Sequence, residues 1–441
     1  MILRDPVHGL VEFEGDAEKV VTALLDTREV QRLRRVRQLG LTSLVFPGAE
    51  HSRFAHAIGA AHVMARLQER IAKQHGVLPA ALRLDQAAAR DGLAAALLHD
   101  LGHGPFSHLF EEVLPHARPH EEWTVAILLD PATEVHQALA GLDREMPARV
   151  ASLITGSHPL RWLASMVSGV LDVDRCDYLL RDSHMTGVAY GIYDLDWLLR
   201  ALAFAELPEA SLPEADRWVL AIEGRKGLPP IEGFFLARHF MYQQVYHHKA
   251  TRAAECLIRA MFQRVAERIR DGSPPAHTPA AIRAAVLGER LELSTYLELD
   301  DPMLMHCLGE WERDRDTILS DLARRLRRRD LPKTVPLPDE PGSEPLWNEA
   351  RRRAEEIVER HGLRADLSVF IDVASDVPYS EPEGDPRSGL WVTLRHQPLQ
   401  RLGDISFPLQ RLRNQSIVRP RLCFPSEVRD EVRKAIEEVL A

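Results

Sequence analysis

Apolar residues recur along most of this chain three to four positions apart, the spacing that gathers them on one face of an α-helix. Gln86–His99 (QAAARDGLAAALLH) is the clearest case: Ala and Leu, strong helix formers, occupy most positions, which predicts a buried helix. Ala55–Arg70, Leu160–Arg181, Asp194–Phe204, Ile231–Val265 and Thr317–Arg328 follow the same period. Asp5–Phe13 (DPVHGLVEF) breaks it with a turn-forming Gly and predicts a short hairpin; a second is predicted around Trp218–Gly227 (WVLAIEGRKG). Leu331–Pro345 carries five prolines, which a regular helix excludes, so residues 332–345 form the best candidate linker. Beyond it the pattern predicts a helix over Pro345–His361, alternating segments at Leu367–Val373 and Leu390–Leu394, and a last helix over Ser426–Leu440. The expectation is a mainly α protein: a helical core with short β-hairpins over 1–331, then a small C-terminal α+β lobe over 346–441.

Composition narrows the class. With 441 residues, 45% of them hydrophobic, the chain has ample material for a core and is far from the disordered regime. No apolar run reaches the length of a membrane span, and Met1–Asp5 carries no basic-then-apolar leader, so the expectation is a cytoplasmic protein with no membrane partner. Cys176, Cys256, Cys307 and Cys423 are scattered, which suits free thiols in a reducing compartment. A net charge of −10 excludes binding of polyanions spread over the whole surface, and leaves open a local basic pocket. Among the basic residues only six are Lys; the rest are Arg, whose planar fork grips phosphate bidentately.

Five of the 20 histidines fall between His99 and His120, at 99, 103, 108, 116 and 120, with Asp100, Glu111 and Glu121 among them. A buried helix therefore ends in His99-Asp100 and enters a Gly/Pro loop laden with imidazoles. Neighbouring helical side chains point about 100° apart, so His99 and Asp100 approach one ion from two directions but leave its shell incomplete. His56 upstream, and Asp172 and Asp174 downstream in an otherwise apolar helix, are the remaining candidates. Mixed imidazole and carboxylate donors suit Mn, Fe, Zn, Co or Ni better than Ca or Mg alone.

The segments Asp5–Gly9, Gln31–Gly40 (QRLRRVRQLG), Phe46–His56 (FPGAEHSRFAH), His99–His108 (HDLGHGPFSH) and Asp172–Asp182 (DVDRCDYLLRD) together resemble HD-domain deoxynucleoside triphosphate triphosphohydrolases. The resemblance is to the branch of the animal SAM-and-HD-domain enzymes and their bacterial relatives, here expected without a SAM domain; it runs from about residue 1 to 265 and continues weakly beyond. It implies an HD-domain helical core and a metal held by His56, His99, Asp100 and Asp174. It also implies water attack on the α-phosphorus of a dNTP, releasing a deoxynucleoside and intact triphosphate, with Mg accompanying the triphosphate. His108 is the expected general acid, with Glu111, His120 and Glu121 holding it and His103 lying against the phosphates. His116 reads as a solvent-facing loop residue. Arg53, Arg175, Arg238 and Lys249 match phosphate-contact positions, the last two on one predicted helix face eleven residues apart. Tyr246 is expected at the base edge or sugar, Gln38 and Asp182 at the sugar 3′-OH, and Tyr178 beneath the sugar, leaving no room for a 2′-OH.

Members of this family bind a second nucleotide between subunits. Asp26, Gln31 and Arg34 match its guanine-reading positions, which implies a homo-oligomer, dimer or tetramer; Met1–Arg4, however, stands where the family carries a basic segment. The run Arg324–Arg329 (RRLRRR) reads as a solvated helix face and also suits a weak single-stranded nucleic-acid contact. Two alternatives stand beside the dNTPase reading. One is another HD phosphohydrolase (a 5′-nucleotidase, cyclic-nucleotide phosphodiesterase or nuclease), the other a catalytically silent nucleotide or nucleic-acid sensor. Four cationic phosphate positions exceed what one phosphate needs, and an intact set of candidate ligands argues against silence.

Overall fold

In the computed structural model, which describes every residue except 75, 115–117, 210, 382, 383, 385 and 441, the chain is mainly helical. His116 lies outside the described residues. The first hairpin forms as predicted: β1 (Ile2–Asp5) pairs antiparallel with β2 (Gly9–Glu12), and Gly9 at φ 76° takes the left-handed turn position. Three helices then build the frame of the site: α1 (Arg53–Ala72), α2 (Gln86–Leu98) and, farther along, α3 (Val173–Thr186). Asp85 caps α2 by accepting from Ala88 N at 2.7 Å. Asp172 caps α3 by accepting from Arg175 N at 2.8 Å, and Gly187 at φ 78° ends it. Helix α1 packs against both others, and their inward faces (Ala57, Ala60, Ala61, Met64, Leu93, Leu97 and their neighbours) are buried in one core. A second core gathers around α4 (Lys249–Arg270) and α5 (Asp301–Trp311). Among the described residues no helix is long and apolar enough to cross a membrane.

Three predicted helices are broken. Leu160–Arg181 divides into Arg161–Val167 and α3, because Asp172 starts a new helix. Asp194–Phe204 is helical only over Leu195–Ala201; from Leu202 the chain becomes β3 (Leu202–Glu206), paired antiparallel with β4 (Trp218–Glu223) in the register Leu202↔Ile222. The predicted hairpin at Trp218–Gly227 is therefore half right: its strand pairs backward with β3, and its downstream arm turns at Gly224 (φ 67°) into helix. Ile231–Val265 splits into Leu228–Met241, a wide π turn over Tyr242–Tyr246, and α4, whose first turn is capped by His248 Nδ1 accepting from Ala250 N. Arg238 and Lys249 consequently do not share one helix face.

The C-terminal lobe is α+β, as expected. Its three-stranded sheet has the order β5 (Lys333–Pro336), β9 (Ile417–Phe424), β6 (Phe370–Asp376), covered by helices Glu344–Arg360 and Arg429–Leu440. The Pro-rich segment is thus not a free tether: Lys333–Pro336 is an edge strand, where missing amide donors are tolerated. Strands β7 (Trp391–Thr393) and β8 (Gln400–Arg401) leave the lobe and extend the β3–β4 sheet, β7 running parallel to β4.

Candidate metal centre and its histidine cluster

Helix α1 contributes His56, the end of α2 contributes His99 and Asp100, and α3 contributes Asp174. His56 Nε2 lies 3.0 Å from Asp174 Oδ1, His99 Nε2 lies 3.5 Å from the same oxygen, and the two Nε2 atoms are 3.3 Å apart. The other ring nitrogens are already bonded: His56 Nδ1 to Asp177 Oδ2 at 2.8 Å, and His99 Nδ1 to the Ala96 carbonyl at 2.9 Å. Both acceptors take a proton, so each Nδ1 carries the N–H and each Nε2 presents its lone pair. Two lone pairs and a carboxylate converging on one point repel one another unless a cation sits between them, so the donor set fits a divalent ion. The same field appears in the titration of His56. A proton competes with the cation for Nε2: burial alone pulls the His56 pKa down, but the hydrogen bonds to Asp174 and Asp177 and their charges outweigh it and raise it to about 10, and a divalent ion held there would displace that proton. Asp100 stands at the edge of this set, 3.6 Å from His56 Nε2 and 3.5 Å from His99 Nε2, and is engaged by Arg53.

Asp177, which sequence reasoning passed over, organises the imidazole side. It is wholly buried and accepts from His8 Nε2 at 2.7 Å, His56 Nδ1 at 2.8 Å, and Arg181 Nε and Nη2 at 2.8 and 2.9 Å. Arg181 in turn donates to Asp5 at 2.8 Å, which ties the first hairpin to the site. Burial works to raise the Asp177 pKa, but Arg181 and the hydrogen bonds from His56 and His8 hold it well below the carboxylate range. One signal was available: Asp177 and Arg181 stand four apart on α3, the spacing of an ion pair, in a helix otherwise read as apolar. Gly59 on α1 faces this carboxylate; a Cβ there would lie 1.8 Å from Asp177 Oδ1.

The second cluster follows the loop after α2. Stacked rings of His103 and His120 lie 3.7 Å apart, and His108 stands edge-on to both, at 4.8 and 5.2 Å. Glu111 Oε1 lies 3.0 Å from His120 Nδ1 and 3.8 Å from His103 Nδ1, with Glu121 3.4 Å from His120. His103 is buried, with Nε2 3.2 Å from Asp100 Oδ1. It therefore bridges the two clusters. His108 is the member that reaches the surface. Desolvation, then the charges of Arg53 and His120, outweigh the opposing pull of Asp100 and leave His103 neutral with a pKa well below the usual imidazole value. His108 is also lowered, by desolvation first and then by Arg53 and His120.

Tyr178, Asp182 and Tyr246 come together in the structure. The Tyr246 hydroxyl donates to Asp182 Oδ2 at 2.8 Å, the rings of Tyr178 and Tyr246 are 6.2 Å apart, and Tyr178 faces His56 at 6.5 Å. His51, given no role from sequence, holds Asp182 Oδ1 at 2.8 Å. Gln38 Oε1 is buried without a partner, leaving an acceptor free. Three of the four phosphate-contact candidates are engaged by protein groups. Arg53 is buried against Asp100 and Ser107; Arg175 pairs with Asp172 and the Gly169 carbonyl. Arg238 donates to Asp376 at 2.8 Å, and to the carbonyls of Val377 and Pro378 at 2.8 and 3.0 Å. Lys249 is exposed at the start of α4. Arg175 and Arg238 line a cavity of about 590 Å³ together with Arg161, Trp218 and the Val377–Pro378 segment. On another face, Arg34 Nε donates to Gln31 Oε1 at 2.8 Å and Asp26 is exposed nearby at the end of helix Lys19–Leu25.

Residues 53–182, which span α1, α2 and most of α3, match the HD domain family. A Bacillus subtilis protein, the uncharacterised YwfO, is 35% identical over 379 residues, covering 86% of this chain and 80% of that one. The deoxynucleoside triphosphate triphosphohydrolase SAMHD1 of Bos taurus is 29% identical over 303 residues, which cover 61% of this chain and 48% of SAMHD1, so the match spans about half of that relative's length. A crystal structure of a phosphohydrolase from Bacteroides thetaiotaomicron superposes with a TM-score of 0.78 at 25% identity, covering 96% of this chain and 99% of that one. The HD motif, the donor set it places on three helices and the similarity to YwfO along most of the chain lead to one assignment: the protein belongs to the HD-domain family that includes YwfO, and over part of its length it is similar to the dNTP triphosphohydrolase SAMHD1.

Proposed function

We propose that this protein hydrolyses deoxynucleoside triphosphates at the α-phosphorus, releasing a deoxynucleoside and inorganic triphosphate. The observation that carries the proposal is the junction of the two clusters: Asp100 touches the His56–His99–Asp174 donor set on one side and His103 on the other. Proton-transfer groups thereby stand directly beside a cation site. The ion proposed for His56, His99, Asp174 and Asp100 is a divalent transition metal (Mn, Fe, Zn, Co or Ni), with Mg brought by the triphosphate. Bound there, it supplies a water of lowered pKa and polarisation of a phosphoryl oxygen.

The remaining work falls to side chains. His108, exposed beside the donor set, gives a proton to the departing 5′-oxygen. His120 donates from Nδ1 to Glu111 at 3.0 Å, which fixes the ring that His108 packs against. Tyr178 lies under the sugar, where a 2′-OH would collide, and Asp182, already oriented by Tyr246 and His51, accepts from the 3′-OH beside Gln38. Arg53, Arg175, Arg238 and Lys249 offset the phosphate charge; Arg238 exchanges the Val377 and Pro378 carbonyls for phosphate oxygens. The Asp26, Gln31 and Arg34 surface is proposed as a nucleotide contact within a homo-oligomer. The reading is tested by incubating metal-loaded protein with each dNTP and NTP and resolving products by chromatography. Deoxynucleoside plus tripolyphosphate is expected, and His99→Ala should lose both metal and turnover. Release of pyrophosphate or orthophosphate refutes it.

A further inference from the structure

The loop that delivers His108 has an unusual backbone. Phe106 and Ser107, neither of them glycine, are consecutive residues at φ 55° and 59°, and Ser107 has ψ −127°. Such conformations persist only where surrounding groups over-determine them. The determining group comes from far along the chain. Asp301, the first residue of α5, is 3% exposed and uses each carboxylate oxygen on a different backbone amide. Oδ1 accepts from Phe106 N at 2.8 Å, and Oδ2 accepts from Arg37 N at 3.1 Å. Ser107 Oγ closes the arrangement by donating to the Arg37 carbonyl at 2.7 Å and accepting from Arg53 Nε at 2.9 Å. Gly40, at φ 50°, lets the two segments approach: a Cβ there would lie 3.1 Å from the Phe106 carbonyl oxygen. Asp301 therefore staples the segment that leads into Gln38 to the loop that ends at His108.

We propose that Asp301 is a positioning residue for the hydrolysis described above, holding His108 at the angle from which it protonates the leaving oxygen and keeping Gln38 in register with it. This rests on the proposed role of His108. A buried carboxylate is otherwise unfavourable; burial, helped by the charge of Asp300, raises its pKa to about 6, against the two backbone hydrogen bonds and the charge of Arg37 that lower it. Asp300, beside it, has the ordinary task of capping α5 through Met303 N at 3.0 Å, so the helix needs no cap from Asp301.

The test compares the wild type with Asp301→Asn and Asp301→Ala on a dNTP and on bis(4-nitrophenyl) phosphate, whose leaving group departs without a proton. In Asp301→Asn the amide oxygen still accepts from Phe106 N while its NH₂ confronts Arg37 N, so half the staple survives. For the dNTP, kcat should fall about 10-fold in Asp301→Asn and about 100-fold in Asp301→Ala, with KM within about threefold. On the nitrophenyl ester all three proteins should agree within about threefold, because the acid is not needed. Amide hydrogen exchange, which requires no substrate, should show Arg37 N–H exchanging faster in both variants and Phe106 N–H exchanging faster in Asp301→Ala, while α1 and α2 are unchanged. Equal losses on the two substrates, or unchanged exchange at Phe106 in Asp301→Ala, overturn the proposal. If the wild type cleaves no dNTP, the dNTP reading fails, and exchange at Phe106 still decides whether the staple exists.

Discussion

Asp177→Asn is the sharpest perturbation of the metal side, because it keeps volume and removes charge. The carboxylate receives four hydrogen bonds, from His8, His56 and twice from Arg181, all between 2.7 and 2.9 Å, and Asp177 and Arg181 are wholly buried. An amide in its place must turn an NH₂ toward at least one of these donors. If it turns toward Arg181, it weakens a buried ion pair, whose disruption costs about 3–5 kcal/mol. If it turns toward His56, the imidazole loses the acceptor that holds its N–H at Nδ1. Loss of such a partner weakens metal affinity roughly 10–100-fold. The expected result is therefore twofold: a melting temperature lower by about 3–5 °C, and a Mn²⁺ dissociation constant raised roughly 10–100-fold in competition with a chromophoric chelator. Saturating Mn²⁺ should restore most turnover, since His56, His99, Asp100 and Asp174 are all present, but should leave part of the melting deficit. A variant that melts lower yet binds Mn²⁺ as the wild type does would show that His56 is oriented without Asp177, and the account of the tautomer would be wrong.

Tyr178→Ala should admit ribonucleoside triphosphates, read as a rise in NTP turnover relative to dNTP; continued rejection of NTPs would remove the ring from the selectivity argument. Gly59→Ala should cost about 3–5 kcal/mol and weaken metal binding, because its methyl group would displace the Asp177 carboxylate; near-normal melting would contradict the packing described. Glu255, half-buried on α4 beside Arg252 and facing Asp372 of the C-terminal sheet, has its pKa raised by desolvation to about 7 despite Arg252. A raised carboxyl pKa gives stability that is complete below the unfolded value near 4.5 and is lost as pH rises through about 7. Glu255→Gln should then match the wild type at pH 5 and exceed it by about 1–3 kcal/mol at pH 8 in thermal melts, a gap that vanishes if Glu255 is ionised throughout.

The features legible in the sequence were those in which one short segment carries its own chemistry. His99-Asp100 at the end of an Ala/Leu helix, four more histidines in the segment that follows, and Asp174 in an apolar helix announce a site because charge is costly there. What escaped was decided between distant segments. Asp177 looks like half of an ion pair until His56 and His8 arrive from α1 and the first hairpin. Asp301 bears on Phe106 across 195 residues and on Arg37 across 264, and no local pattern marks it. The broken helices fail for a related reason. Leu202–Glu206 continues an apolar run that suits helix or strand alike, and only its pairing with Trp218–Glu223 chooses. Around Tyr242–His248 the helical period carries on unbroken in the sequence while the backbone widens into a π turn. The prolines of the presumed linker exclude helix without excluding an edge strand.

The central claim is that water attacks the α-phosphorus and that His108 releases the 5′-oxygen as an intact deoxynucleoside. Hydrolysis of a dNTP in H₂¹⁸O, with products resolved by mass spectrometry, tests it most directly. One ¹⁸O atom should appear in the tripolyphosphate, with the deoxynucleoside unlabelled. Label in the nucleoside 5′-hydroxyl, or label carried on orthophosphate or pyrophosphate, would contradict it.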